Sequence, residues 1–421
     1  MPKKPRSSRF TNDFNSMINI IIWNTMGFFF IGFLIPVIAR AEMGASATQI
    51  GLVVSIQTIG FTMSSFFTGF LTDRVKKKKS LILIGSLGRG FAYFLIFWAF
   101  VSNSIIFLAI GTFSLGALAG FYWIPFDALI SEKSNKKNRS QAFGKRDAAN
   151  VKGQIIGALL GFGIFLLGNE FFDINIIRYL AIPIFGIGNF IGGILFYRKV
   201  DESIVFEEKI NHSDTDKKPR NKAEFSYSRS AFIGLIFLLL VILVSNINGF
   251  LAKPFLNVYI WENLEENFSL VIIAYLPGGL LSTLLAPKFG EILDKLPPRM
   301  GITITSIIGA ITTWFLINTD NLWIFSVLLF FDISVVLSAN LVFQNFLSRI
   351  TLEHRGKIMG LNSFFTNFGK VIGPVLGGIV WDTYGSKAPF LFSIIVELCL
   401  IPLYWIVVHY LKPYMAEHYE V

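Results

Sequence analysis

The chain is poor in most of what a soluble enzyme uses. Only one of its 421 residues is cysteine, Cys399, and only four are histidine, His212, His354, His409 and His418. A single cysteine excludes an internal disulfide and a cysteine-based metal cluster. The histidines form no H-E-x-x-H pair, so no metal site is expected. Neither a G-x-x-x-x-G-K-[ST] loop nor a G-x-S-x-G turn occurs, which argues against an ATPase and a serine hydrolase within the chain, and no cofactor is expected. Charge is scarce too, at 15% of residues, and acids are fewer than bases, 27 against 37. The resulting net charge of +10 does not point to nucleic acid, because no basic stretch carries a base-reading motif. What the chain has is oil: 53% hydrophobic residues and 45 Phe, with a mean hydropathy of +0.60. That composition belongs to a membrane protein.

A bilayer core of about 30 Å takes about 20 apolar helical residues. Twelve stretches fit: 15–39, 47–71, 80–101, 104–130, 142–167, 175–197, 230–256, 266–288, 300–318, 321–346, 356–380 and 387–410. The opening segment MPKKPRSSRF leads into too long an apolar run, without a small-residue cleavage site, to be a signal peptide, and reads as the flank of an uncleaved first span. Bases gather before span 1, between spans 2 and 3, and around the span 4–5 connection, whereas "SNS" at 102–104 and "ENLEENF" at 262–268 carry none. The positive-inside bias therefore predicts cytoplasmic N- and C-termini in a cell membrane. One long polar segment, residues 199–229, predicts a cytoplasmic linker between residues 1–198 and 230–421, each a bundle of six spans.

The halves share a pattern. At an offset of 216, Arg139, Gly144, Gly153, Gly157 and Gly161 fall on Arg355, Gly360, Gly369, Gly373 and Gly377, and Gly69-x-x-x-Asp73-Arg74 aligns with Gly290-x-x-x-Asp294-Lys295 at 221. Duplication explains both. Parallel six-span halves related by an axis along the membrane normal are a transporter architecture.

On these residues the sequence resembles the major facilitator superfamily over nearly its whole length. The signature G-x-L-x-D-R-x-G-[RK]-[RK] stands as Gly69, Leu71, Asp73, Arg74, Lys77 and Lys78, with Lys76 where the second glycine belongs. The resemblance implies an all-α membrane protein of twelve spans in two pseudo-symmetric bundles. It implies secondary active transport of a small molecule by alternating access, coupled to protons, with efflux of drugs or metabolites foremost. Uptake by symport and lipid movement on the same scaffold stay open, and a membrane-embedded enzyme is the rival class. A monomer surrounded by lipid is implied. The resemblance also implies that Asp73 meets the start of span 11 near Arg355 in the outward-open state, where exposed helix N–H groups favour an anion, and that Asp294 meets the start of span 5. The family's antiporter pattern G-x-x-x-G-P-x-x-G-G appears as "GKVIGPVLGG" at 369–378 in span 11, whereas span 5 has Ala158 and Phe162 at two of its positions.

The residues themselves single out further candidates. Gly153, Gly157 and Gly161, like Gly369, Gly373 and Gly377, recur every fourth residue, so each trio shares one helix face and admits another backbone closely. Pro374 should bend its helix. Charges retained within spans face partners or water, and Arg89, Lys152, Asp332, Lys370 and Glu397 are such charges, with Asp127 nearer the span end. Because the resembled fold lines its cavity with spans 1, 4, 7 and 10, Asp332 is the expected proton-titrating carboxylate. Lys152 and Lys370 would attract an anionic substrate or pair with Asp332. Asn24, Gln57, Asn246, Asn248, Asn340 and Gln344 are read as neutral hydrogen-bonding groups for a ligand or between helices.

Overall fold

The computed structural model describes residues 9–75, 77–135, 138–171, 175–206, 229–293, 296–349 and 355–412. Its elements are helices: α1 (Phe14–Thr25), α2 (Gly27–Ala41), α3 (Ala47–Arg74), α4 (Lys78–Val101), α5 (Ile105–Glu132), α6 (Arg139–Phe171), α7 (Asn175–Arg178), α8 (Ala181–Lys199) and α9 (Arg229–Leu251). A 3-10 turn at Lys253–Phe255 leads on to α10 (Leu256–Asn263), α11 (Phe268–Leu293), α12 (Pro298–Asn318), α13 (Leu322–Arg349), α14 (Arg355–Tyr384) and α15 (Ala388–Leu411). Among the described residues, 11 helical runs are long and apolar enough to cross a membrane, and Phe268–Ser282 is a shorter apolar helix. Large apolar side chains point away from the protein along these runs, Phe66 and Phe91 both being 65% exposed and Ile106 70%. Lipid is the solvent in which such a surface is stable.

Three of the twelve expected spans are interrupted. The first breaks at Met26 into α1 and α2, the sixth is α7 followed by α8, and the seventh continues beyond residue 256 through the 3-10 turn and α10 to Asn263. Of the expected linker, residues 207–228 lie outside the described residues.

The connections that lack bases work through caps. Ser104 Oγ accepts from the Phe107 amide, and Asn103 before it takes a positive φ of 49°, which Asn tolerates better than most residues. Asn267 Oδ1 accepts from the Ser269 amide at 2.8 Å, and Asn321 Oδ1 from those of Trp323 and Ile324 at 2.9 and 3.1 Å. Ser46 and Gln49 cap reciprocally: the Ser46 amide donates to Gln49 Oε1 and the Gln49 amide to Ser46 Oγ. Such side chains satisfy the orphan N–H groups of a helix start without adding charge.

The chain forms two compact units, one of residues 1–43 and 56–221, the other of 44–55 and 222–421. The division falls inside α3, whose first residues count with the second unit.

In the first unit the basic end is tied together by Lys133. Its ammonium is 1% exposed and donates to Asp13 Oδ2 at 2.7 Å and to the carbonyls of Asp201 and Ile204 at 2.6 and 3.0 Å. Around it, the Thr11 amide donates to the Lys133 carbonyl and the Phe206 amide to that of Glu132, and Glu132 pairs with Lys78. The segment before α1, the end of α5 and the chain after α8 thus meet on one buried cation. Deeper in this unit, fully buried Arg89 donates to the Asn24 carbonyl and lies over the rings of Phe28 and Tyr122, 4.8 and 5.3 Å from their centroids, while Ser86 donates to Asn24 Oδ1. In the second unit Glu397 Oε1 accepts from Ser306 at 2.6 Å and Oε2 from Asn248 at 3.4 Å. An Asn of the first or seventh span and a Ser of the third or ninth therefore gather round one charged side chain in each unit, a guanidinium in one and a carboxylate in the other.

The pair of Lys133 with Asp13 gives a prediction. Desolvation of Asp13 is outweighed by the hydrogen bonds from Lys133, the Thr11 hydroxyl and the Asp201 amide, together with the Lys133 charge, which hold that carboxyl below its ordinary value of 3.8. A depressed folded pKa contributes stability that is complete above the unfolded value and is lost as pH falls through the folded one. Lys133→Met, which strands Asp13 and two carbonyls, should destabilise by about 3–5 kcal/mol at neutral pH. Thermal unfolding in detergent reads the loss, which should shrink once the pH falls below the ordinary value of the Asp13 carboxyl.

Candidate functional site

The glycine trios each meet a specific backbone. On α6, a Cβ at Gly153 would overlap Thr25 Oγ1, one at Gly157 the Met26 carbonyl, and one at Gly161 the ring of Phe30, so α6 lies flush on the α1–α2 break. On α14, the same addition at Gly369 would overlap Asn246, at Gly373 it would crowd Ile247 and Phe250, and at Gly377 it would overlap the Leu251 carbonyl, so α14 lies flush on the end of α9. Both seams run beside the breaks in the first and seventh spans. Helix contact at this range is van der Waals packing that a single methyl disrupts.

The α14 pattern has a second face. A Cβ at Gly51 of α3 would overlap the Pro374 carbonyl, one at Gly378 would overlap that of Ala47, and Ser55 Oγ donates to the Val371 carbonyl at 2.6 Å. The helix α14 continues through Pro374. Where α3 begins against it, Asp382 closes the contact: Oδ1 accepts from the Ala47 amide at 3.0 Å, and Oδ2 from the Thr48 amide and hydroxyl at 2.9 and 2.7 Å. With Ser46 taking the Gln49 amide, the first three N–H groups of α3 are all satisfied. A carboxylate in this position is worth about 0.5–2 kcal/mol as a cap, reinforced by the positive end of the helix dipole. This clasp was missed in the sequence, where Asp382 is one acid before a Tyr-Gly turn with no motif around it.

The carboxylate expected to make such a clasp, Asp73, stands at the other end of α3. It is exposed, and it has no hydrogen-bonding or ionic partner among the described residues; Gly69 borders open space, and Arg74 and Arg139 are exposed. Asp294 lies outside the described residues, Arg355 and Gly290 fall in α14 and α11, and Gly144 and Gly360 border open space.

The other expected ligand groups separate. Asp332, ten residues into α13, accepts from Thr313 of α12 at 2.6 Å, and no ion pair joins it to Lys370 among the described residues. The expected pairing of the two is thus not formed, because the Asp332 carboxylate is held against α12. Asn24 is enclosed in the first unit by Ser86 and Arg89 rather than offered to a ligand. Asp127 accepts from Arg146 at 2.6 Å, which makes it half of an α5–α6 ion pair. Asn246 bridges α9 and α14, accepting from Thr366 at 2.8 Å. Asn340, Gln344 and Lys152 are exposed. Lys370 lies over the Phe250 ring at 5.7 Å, and the ring has a second cation, Lys253 at 5.9 Å, which the sequence reading passed over because it follows the apolar run of α9.

Twelve apolar runs, two interrupted spans backed by glycine seams and few, isolated charges are the features of a membrane transporter. The profile of the Major Facilitator Superfamily matches residues 18–351, and the chain belongs to that family. It is a multi-pass membrane protein that moves small molecules by secondary transport, and it is not an enzyme. It is 26% identical over 395 residues to multidrug resistance protein 2 of Bacillus subtilis (strain 168), covering 91% of this chain and 92% of that one. It is 26% identical over 370 residues to multidrug resistance protein MdtG of Yersinia enterocolitica serotype O:8 / biotype 1B, covering 85% and 84%. Its fold superposes on a bacterial homolog of the human lysosomal transporter Spinster, in an inward-facing and unoccupied conformation, with a TM-score of 0.72 at 12% identity, covering 96% of this chain and 99% of that one. The nucleoside transporter NupG matches with a TM-score of 0.65 at 13% identity, over 93% and 99%.

The seams predict an unequal response to one chemical change. Gly157→Ala forces a methyl against the Met26 carbonyl, whereas Gly163, on the same helix, borders open space. Gly157→Ala should destabilise by about 1–3 kcal/mol, and Gly163→Ala should be neutral or stabilise by up to ~1 kcal/mol. Thermal unfolding of the two purified variants makes the comparison.

Proposed function

We propose that the chain is a proton-coupled exporter in the cell membrane, working as a monomer by alternating access, with Asp332 as its proton carrier. The observation that carries this reading is the place of Asp332. At 1.5 Å per residue it stands about 15 Å along α13, where it accepts from the Thr313 hydroxyl and lies within electrostatic reach of the neutral Tyr275 phenol. A carboxylate in apolar surroundings with one neutral donor and no base is stable when protonated and costly when ionised, as a carrier that loads and releases one proton requires. Export rather than uptake is supported by the relatives named for multidrug resistance. Cytoplasmic termini are supported by the bases of the alternate connections, and in this reading residues 199–229 link bundles 1–198 and 230–421.

The two ends of α3 give the cycle a switch. Asp382 holds the start of the helix through Ala47 and Thr48, and Asp73 at its far end is unpartnered among the described residues. Release of Asp382 accompanies engagement of Asp73 with another helix start near Arg355, and Asp294 takes the equivalent part in the second half.

Asp332→Asn fixes the side chain in the neutral form. In proteoliposomes, transport driven by an imposed pH gradient should fall to the rate without a gradient, while exchange of labelled for unlabelled substrate at equal pH persists. A variant that responds to the gradient as the parent does would remove Asp332 from the coupling.

A further inference from the structure

The two lysines around Phe250 are in-span cations of the second unit that the transport reading leaves unused. Lys370 follows Gly369 on α14, and Lys253 opens the 3-10 turn after α9. The Gly373 contact brings Phe250 against α14, so both ammonium groups reach one ring, at 5.9 Å for Lys253 and 5.7 Å for Lys370. They are near enough to repel each other. Among the described residues neither forms an ion pair, although an unpaired charge within a span is costly. Lys370 stands ten residues into the span Gly360–Tyr384, about 15 Å deep, too far for its ammonium to rest among the headgroups. The bland role of a lysine, fixing topology at a membrane face, does not account for it. The seventh span is broken beside the two lysines: α9 ends at Leu251, and the 3-10 turn at Lys253–Phe255, whose Lys253 carbonyl accepts from the Leu256 amide, leads into α10. Interrupted spans are where transporters hold charged solutes.

We propose that Lys253, Lys370 and the ring of Phe250 form a binding site for an organic anion with a flat apolar body, its acid group between the two ammonium groups and its body against the ring. The proposal rests on the transport reading, since it names the class of solute taken at a site of that machine. An anion would neutralise the mutual repulsion of the lysines, and the apolar body would replace lipid or water on the Phe250 face. A carboxylate or sulfonate fits the pair; a cation does not.

The test uses the full-length protein in detergent and carboxyfluorescein as probe, followed by fluorescence anisotropy. Lys253→Met and Lys370→Met should each weaken binding about tenfold, and the double variant about a hundredfold. Lys253→Arg and Lys370→Arg, which keep the charge, should bind within a few-fold of the parent, showing that charge and not packing is responsible. Equal binding by the parent and the double Met variant, or no binding by the parent, overturns the site. Carboxyfluorescein counterflow in proteoliposomes separates the two readings. Lysine-dependent binding without flux leaves the site standing and removes the transport reading; flux indifferent to both lysines does the reverse.

Discussion

The start of a helix leaves N–H groups that must find acceptors, and α3 finds two of them on a side chain more than three hundred residues away in sequence. Asp382 takes the amides of Ala47 and Thr48, and the backbones of α3 and α14 come close enough for this only because Gly51 and Gly378 carry no side chain. Carboxylate and glycines are parts of one device. The glycines set the distance, and the carboxylate makes the contact directional and breakable. A hydrogen-bonded charge in contact with water is a suitable fastening for a moving protein, because water supplies substitute partners when it opens. A purely apolar seam would have no such exchange.

The same economy governs each unit's interior. Lipid gives helices no hydrophobic reason to associate, so shape and a few polar groups must do it. The seams at Gly153–Gly161 and Gly369–Gly377 supply shape beside the broken first and seventh spans. Arg89 with Asn24 and Ser86, and Glu397 with Asn248 and Ser306, supply the polar knots. Among the described residues these knots hold charge without a counter-ion on a neighbouring helix, relying on neutral amides, hydroxyls and aromatic faces. Among the described residues, Lys152, Asp332 and the two lysines near Phe250 are in-span charges set apart from such knots.

Much of the fold was legible because the bilayer imposes a length and the apolar runs obey it. The breaks at Met26 and Ala252 were not, because the polar or helix-breaking residues beside them, Asn24, Thr25 and Gly27 at the first and Lys253 and Pro254 at the second, are too few to end an apolar run. The four-residue spacing of the glycines put them on one face, but spacing says nothing of which helix lies opposite, and Gly51 and Gly378 belong to a seam with no repeat to betray it. Asp73 stood out in the sequence through its motif, whereas Asp382 drew no notice, since a cap is made by geometry and its partners lie far along the chain. Asn24 and Asp127 read as ligand groups because polarity within a span is visible and its partner is not; Ser86, Arg89 and Arg146 occupy them. Lys253 escaped for the opposite reason, sitting where an apolar run ends and a basic residue is unremarkable.

The central claim is that the hold of Asp382 on the start of α3 opens and closes with the transport cycle. Hydrogen–deuterium exchange at the amides of Ala47 and Thr48, measured in proteoliposomes at rest and during turnover, tests it directly. The account predicts protection at rest and markedly faster exchange during turnover, with Asp382→Asn already fast at rest. Amides that stay equally protected while substrate flows would contradict it.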